Sequence, residues 1–144
     1  MIKKSHKKFF TLNLSHLPKT WLIDIDGVIF EHNGHLNLKD GEFEKPLDNV
    51  IEFFNNLNKD DKVILLSARE EKYRKITERS LKNAVIKYDL LIMGLPVGER
   101  ILINDIKPDG LRTAYAINVK RNEGLKIFKI NKKNKFGNHD KEKT

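Results

Sequence analysis

Trp21-Leu22-Ile23-Asp24-Ile25-Asp26-Gly27-Val28-Ile29-Phe30 is an apolar run broken by two carboxylates two positions apart, with glycine directly after the second. On a strand, residues i and i+2 point to the same side, so Asp24 and Asp26 can face one site where the strand runs out. Carboxylates held together repel, and a cation or a shared proton resolves the conflict. Gly27 allows a sharp turn beside whatever binds there. Taken alone, the stretch fits equally well a buried strand stopped by a solvated Asp-x-Asp-Gly turn.

Three further strand ends follow. Lys62-Val63-Ile64-Leu65-Leu66 ends at Ser67-Ala68-Arg69, Asp89-Leu90-Leu91-Ile92-Met93 ends at Gly94, and Arg100-Ile101-Leu102-Ile103 ends at Asn104-Asp105. Continuous apolar runs of this length suit strands of a parallel sheet buried on both faces. Helical spacings lie between them: Leu47, Val50, Ile51, Phe54 and Leu57, then Tyr73, Ile76, Thr77, Leu81 and Val85. Strands alternating with helices predict an open α/β sheet, whose ligands bind outside the carboxyl ends of the strands. Every polar group named above sits at such an end.

The hydrophobic-Asp-x-Asp-Gly strand, the later hydrophobic-Ser strand and the still later hydrophobic-Asp strand resemble, in that order, the haloacid dehalogenase (HAD) superfamily of phosphohydrolases. The resemblance covers roughly residues 20 to 120. Leu66-Ser67-Ala68-Arg69, Ile92-Met93-Gly94-Leu95-Pro96 and Ala114-Tyr115-Ala116-Ile117-Asn118-Val119 are similar to small capless phosphatases of capsule and lipopolysaccharide biosynthesis. The fold implied is α/β: a Rossmann-like, mostly parallel sheet with helices on both faces, capless, with a short flap.

The resemblance also implies roles, and the chemistry is consistent with each. Asp24 is the expected nucleophile, forming an aspartyl-phosphate. Asp26 is the expected general acid and base. Mg²⁺ is expected on Asp24, the backbone carbonyl of Asp26, and Asp105; hard oxygen ligands favour it over Zn²⁺. Ser67 is expected to donate to a phosphoryl oxygen, with Gly27, Ala68 and Arg69 lining the substrate. On its own, a strand-end serine caps the next helix as readily. One element departs from the family pattern: relatives often carry Gly-Lys-Pro where this chain has Gly94-Leu95-Pro96. The cation that contacts the phosphoryl group must then come from elsewhere. Lys107 is the first choice and Arg69 the second; Lys87 and Arg100 read first as solvated side chains. Asp109 either orients a metal-bound water or forms a Pro-Asp-Gly turn.

The chain has 144 residues, no cysteine and a net charge of +8. That length suits one domain, and disulfides, thiolate metal sites and cysteine nucleophiles are excluded. The excess charge lies at the ends. Residues 1–19 carry five lysines and no acid, residues 131–144 five lysines and two acids, and residues 20–130 18 basic and 18 acidic side chains. The expected organisation is a basic arm (1–19) whose Phe9, Phe10, Leu12 and Leu14 dock on the core or a partner subunit. A phosphatase domain (20–130) follows, then a frayed basic tail (131–144). The connection 31–46 is too short for a cap and predicts a flap or a hairpin around Asn33-Gly34, with His32 and His35 as surface histidines.

With no stretch of about 20 apolar residues and a poor signal-peptide core at Phe9–Leu17, no membrane partner and a cytoplasmic location are expected. The expected activity is hydrolysis of a small phosphorylated metabolite: a sugar-, polyol- or amino-alcohol-phosphate of surface-polysaccharide precursor synthesis. A homo-oligomer shielding the open site is expected as well. Two alternatives stand beside this. The first is a nucleic-acid 3′-end phosphatase, which Ser67-Ala68-Arg69 with Tyr73-Arg74 faintly resembles, although few aromatics are free to stack bases and a nucleic-acid partner is not expected. The second is a catalytically weak binding or scaffold protein, suggested by Leu95.

Overall fold

A computed structural model describes residues 10–32, 38–39, 41–125 and 128–132 of the chain. Strand β1 (Phe10–Leu14) precedes β2 (Thr20–Asp24), helix α1 (Val50–Asn55) and β3 (Lys62–Leu66). A 3-10 turn (Glu71–Tyr73) then leads into α2 (Arg74–Asn83), followed by β4 (Leu90–Ile92) and β5 (Phe128–Lys132). The result is a mixed α/β structure around a three-stranded parallel sheet of order β2-β3-β4. Residues 1–9, His35, the expected turn at Asn33-Gly34 and the tail from residue 133 lie outside the described residues.

Acidic side chains set the register at the strand starts. Asp61 accepts from Lys19 N–H at 2.9 Å and from the Trp21 indole N–H at 2.9 Å, fastening the start of β2 beside β3. Asp89 accepts from Val63 N–H at 2.8 Å and does the same between β3 and β4. Trp21 then pairs with Val63, Ile23 with Leu65, and Leu65 with Leu91. Because side chains alternate along a strand, this register lines up Ile23, Ile25, Val63, Leu65, Leu91 and Met93, all buried, on one face.

Both helices contribute to the core on that face. Val50 of α1 and Leu81 of α2 are fully buried in it, and Phe53 meets Trp21 edge-on at 5.5 Å. The expected stripe of α2 is shifted: Thr77, Ser80 and Leu81 face inward, whereas Val85 lies past the helix end and is 72 % exposed. The opposite sheet face carries Leu22, Ile64, Leu66, Leu90 and Ile92, all exposed or half-buried. Burial on both faces is therefore corrected to burial on one, because the two helices share a single core.

The expected strand at Arg100–Ile103 is also corrected. Ile101, Leu102 and Ile103 lie outside any strand, and Ile103 is 90 % exposed. Three apolar residues gain a ladder's hydrogen bonds only along another strand's edge, and here they pair with no strand among the described residues. At the chain's other extremes, β1 pairs in parallel with β5, Phe10 opposite Phe128 and Leu14 opposite Lys132. Asn131 and Lys132 thus belong to a strand and not to a frayed tail. No helix among the described residues is long and apolar enough to cross a membrane.

Candidate functional site

Three strand ends converge on one side of the sheet. Ile25 N–H continues the β2 ladder to Leu66 O at 3.1 Å, Ser67 N–H donates to Ile92 O at 2.9 Å, and Leu95 N–H returns to Ser67 O at 3.1 Å. Beyond Asp24 the chain folds back at once. Ile25 O accepts from the N–H groups of Val28, Ile29 and Phe30, while Gly27 N–H donates to Phe30 O at 2.7 Å. Ile25, Ile29 and Phe30 are fully buried and anchor this turn. Gly27 has φ +83°, and a side-chain carbon there would stand 3.1 Å from Arg121 Cγ. Both the backbone conformation and the close approach call for glycine.

Asp26 is held on both carboxylate oxygens. Ser67, fully buried, donates its hydroxyl to Asp26 Oδ2 at 3.0 Å, and Arg69 Nε donates to Asp26 Oδ1 at 2.9 Å. The Ser67 oxygen in turn accepts from Arg69 N–H at 3.0 Å. Arg69 then spans to Glu44: Nη1 reaches Oε2 and Nη2 reaches Oε1, each at 2.7 Å, in a fork-to-fork pair. A further Nη1 hydrogen goes to Thr77 Oγ1 at 2.9 Å. Burial opposes the charge on Arg69, but the hydrogen bonds to Glu44 and the charges of Asp26 and Glu44 outweigh it, raising the guanidinium's pKa. Two side chains expected at the substrate are thus occupied by protein. The Ser67 hydroxyl hydrogen is spent on Asp26, and the Arg69 guanidinium is buried among Asp26, Glu44 and Thr77.

Asp24 faces the other way, toward solvent. Arg100 Nη1 lies 2.9 Å from Asp24 Oδ1, with both side chains a little over one-third exposed. The loop after β4 brings this cation to the end of β2. Lys107, the sequence's first choice, lies in a turn in which its N–H donates to Leu111 O and its C=O accepts from Gly110. It pairs with no carboxylate among the described residues. Lys87 is exposed. Asp109 accepts from Leu111 N–H at 3.1 Å, which makes it part of the Pro-Asp-Gly turn.

Asp105 sits at the start of the same hairpin-like segment, where its backbone C=O accepts from the Thr113 hydroxyl. Among the described residues, no three or more His, Cys, Asp or Glu side chains are grouped so as to hold a metal. Asp24 and the Asp26 carbonyl are hard oxygen donors at one strand end, a set suited to a Mg²⁺ ion that keeps several waters. Asp105 does not form such a three-carboxylate group with Asp24 and Asp26. Ala68 is half-buried between Ser67 and Arg69.

Sequence reasoning did not single out Glu44, placed Thr77 only in the apolar stripe of a helix, and ranked Arg100 low. Glu44 lies in a polar connection with no periodicity, and nothing in its neighbours signals a buried partner. A hollow of about 380 Å³ between β1 and Gly110, Leu111, Arg112 and Tyr115 is lined by none of these site residues. Comparison with family models, with curated proteins and with solved structures found no match.

Proposed function

We propose that the chain is a Mg²⁺-dependent phosphomonoesterase of the HAD type, working through an aspartyl-phosphate on a small phosphorylated metabolite. The three-stranded sheet is then the core of a Rossmann-like domain. The observation that supports this reading best is the division of labour at the end of β2. Asp24 is accessible and paired with a cation, whereas Asp26, two residues on, is locked by Ser67 and Arg69. A nucleophile needs access; an acid that must meet a leaving group needs a fixed position.

In this scheme an Asp24 carboxylate oxygen attacks phosphorus as the bond to the leaving alkoxide breaks. For this step Asp26 must carry a proton, which it gives to that alkoxide; as a carboxylate it then accepts one from the water that attacks phosphorus as the bond to Asp24 breaks. Arg100, already at Asp24, is placed to offset charge on the phosphoryl oxygens. Mg²⁺ on Asp24 and the Asp26 carbonyl, with Asp105 as its third protein ligand by resemblance, would neutralise further phosphoryl charge. In this reading the site is capless and open, and a second copy of the chain closing over it would exclude water. The leading substrates are sugar-, polyol- and amino-alcohol-phosphates, by resemblance alone, and the setting is cytoplasmic.

A panel of phosphate esters assayed with and without Mg²⁺ tests the reading. Hydrolysis that requires Mg²⁺ and is lost in Asp24→Asn is expected. No hydrolysis of any ester by the wild-type chain would overturn it in favour of a binding protein.

A further inference from the structure

Glu44 lies 18 residues beyond Asp26, at the far end of the connection that leaves the site. That end is docked. Glu44 N–H donates to the buried Ser80 Oγ of α2 at 3.1 Å, and Leu47 N–H donates to Ile29 O at 2.8 Å. The Glu44 carboxylate itself is 10 % exposed and grips Arg69, whose side chain is 6 % exposed. An arginine fork is planar, so a two-point pair fixes the plane of the guanidinium. Once Glu44 has set that plane, Arg69 Nε can point in only one direction, and Asp26 Oδ1 is there at 2.9 Å.

The charges are uneven. One guanidinium faces two carboxylates, Asp26 from the loop after β2 and Glu44 from the connection, with Thr77 from α2 the neutral partner. Buried ion pairs are weak sources of stability compared with apolar residues of the same size. Placement of the Asp26 carboxylate accounts for a second buried acid better than stability does.

Resting on the phosphatase reading above, we infer that Glu44 is a positioning residue that acts through Arg69 to hold Asp26 where it meets the leaving group. The end of the connection at Glu44 is therefore tied to the acid–base group. Glu44 does not touch substrate.

Two measurements test this. The first needs no activity: denaturant midpoints of the wild-type chain, Glu44→Gln, Asp26→Asn and the double variant. Either carboxylate alone still neutralises Arg69, but loss of both strands a buried guanidinium. The double variant should therefore lose more than the sum of the single losses, and failure of only the double variant to fold counts as the same result. The excess should vanish when the cycle is repeated in Arg69→Met. Additive shifts would overturn the coupling.

The second measurement is turnover. Glu44→Gln should lower hydrolysis of alkyl phosphates by roughly tenfold, part of the about 10²–10⁴-fold that general-acid help supplies. Activated aryl phosphates, whose leaving groups need little protonation, should change less than about twofold, and Glu44→Asp should recover part of the alkyl rate. Equal losses on both ester classes would overturn the positioning role. A wild-type chain with no phosphatase activity would sink the functional reading, while the stability cycle would still decide whether Glu44 and Asp26 are coupled.

Discussion

Arg100 Nη1 stands 2.9 Å from Asp24 Oδ1, joining the end of β2 to a loop 76 residues later. The pair is partly solvated, so its contribution to stability is small. Its consequence is chemical, because it brings a permanent positive charge to the oxygen pair expected to attack phosphorus. Where the resemblance to HAD phosphatases leads one to expect a lysine, this chain has Leu95. Arg100 follows five residues later and reaches the same carboxylate.

Arg100→Ala should therefore lower phosphatase turnover by about 10²-fold, the scale of losing one preorganised contact to developing charge. Lys107→Ala should cost much less, since Lys107 pairs with no carboxylate among the described residues. Steady-state rates on one aryl phosphate decide between them, and a larger loss in Lys107→Ala would return the role to the lysine.

Asp24→Asn should abolish hydrolysis of every ester, because it removes the attacking charge. Asp26→Asn should keep part of its activity on activated aryl phosphates and lose about 10²–10⁴-fold on alkyl phosphates. Substantial steady turnover by Asp24→Asn, with deamidation excluded by mass spectrometry, would mean that water attacks phosphorus directly.

Asp105→Asn should raise the Mg²⁺ concentration needed for half-maximal activity by roughly tenfold or more, because a hard cation loses a charged oxygen ligand. A Mg²⁺ titration of the variant checks it. An unchanged titration would remove Asp105 from the metal site.

Asp89 is held below the usual aspartate pKa, chiefly by the hydrogen bond from Val63 N–H, against a smaller burial effect and with help from Lys62. A carboxylate whose folded pKa is depressed contributes stability that is fully present above its unfolded pKa of about 3.9. That contribution is lost as pH falls through the lower folded value. Asp89→Asn should thus lower stability most near neutrality and least at low pH, which flattens the acid side of the stability–pH curve. Denaturant midpoints between about pH 2 and 5 test this, and an unaltered acid limb would contradict it.

Val85 has φ +57° two residues past the end of α2 and is 72 % exposed. A β-branched residue in the left-handed region is strained by about 1–2 kcal/mol, and so little burial returns almost nothing. Val85→Gly should raise stability, most simply seen as a higher thermal midpoint. A lower midpoint would mean that the valine's contacts outweigh the strain.

Strands β2, β3 and β4 and helix α2 were legible in the sequence because each depends mainly on local chemistry. The apolar runs, the helical spacing and the Asp-x-Asp-Gly turn are all patterns of near neighbours. The expectation from the two-residue period that Asp24 and Asp26 face one way is corrected, since the chain folds back after Asp24 and the two pair with different cations. What the tertiary structure decided concerns partners distant in the chain. That Arg69 is buried against Glu44 and Asp26, that Ser67 spends its hydroxyl on Asp26, and that Arg100 rather than Lys107 reaches Asp24 depend on how loops close across strand ends. The same holds for the sheet's single buried face and for Ile101–Ile103, which join no strand although their apolar content reads as one. Local sequence sets which conformations a segment favours, but a ladder or an ion pair exists only if a second segment arrives beside it, and that is settled by packing of the whole chain.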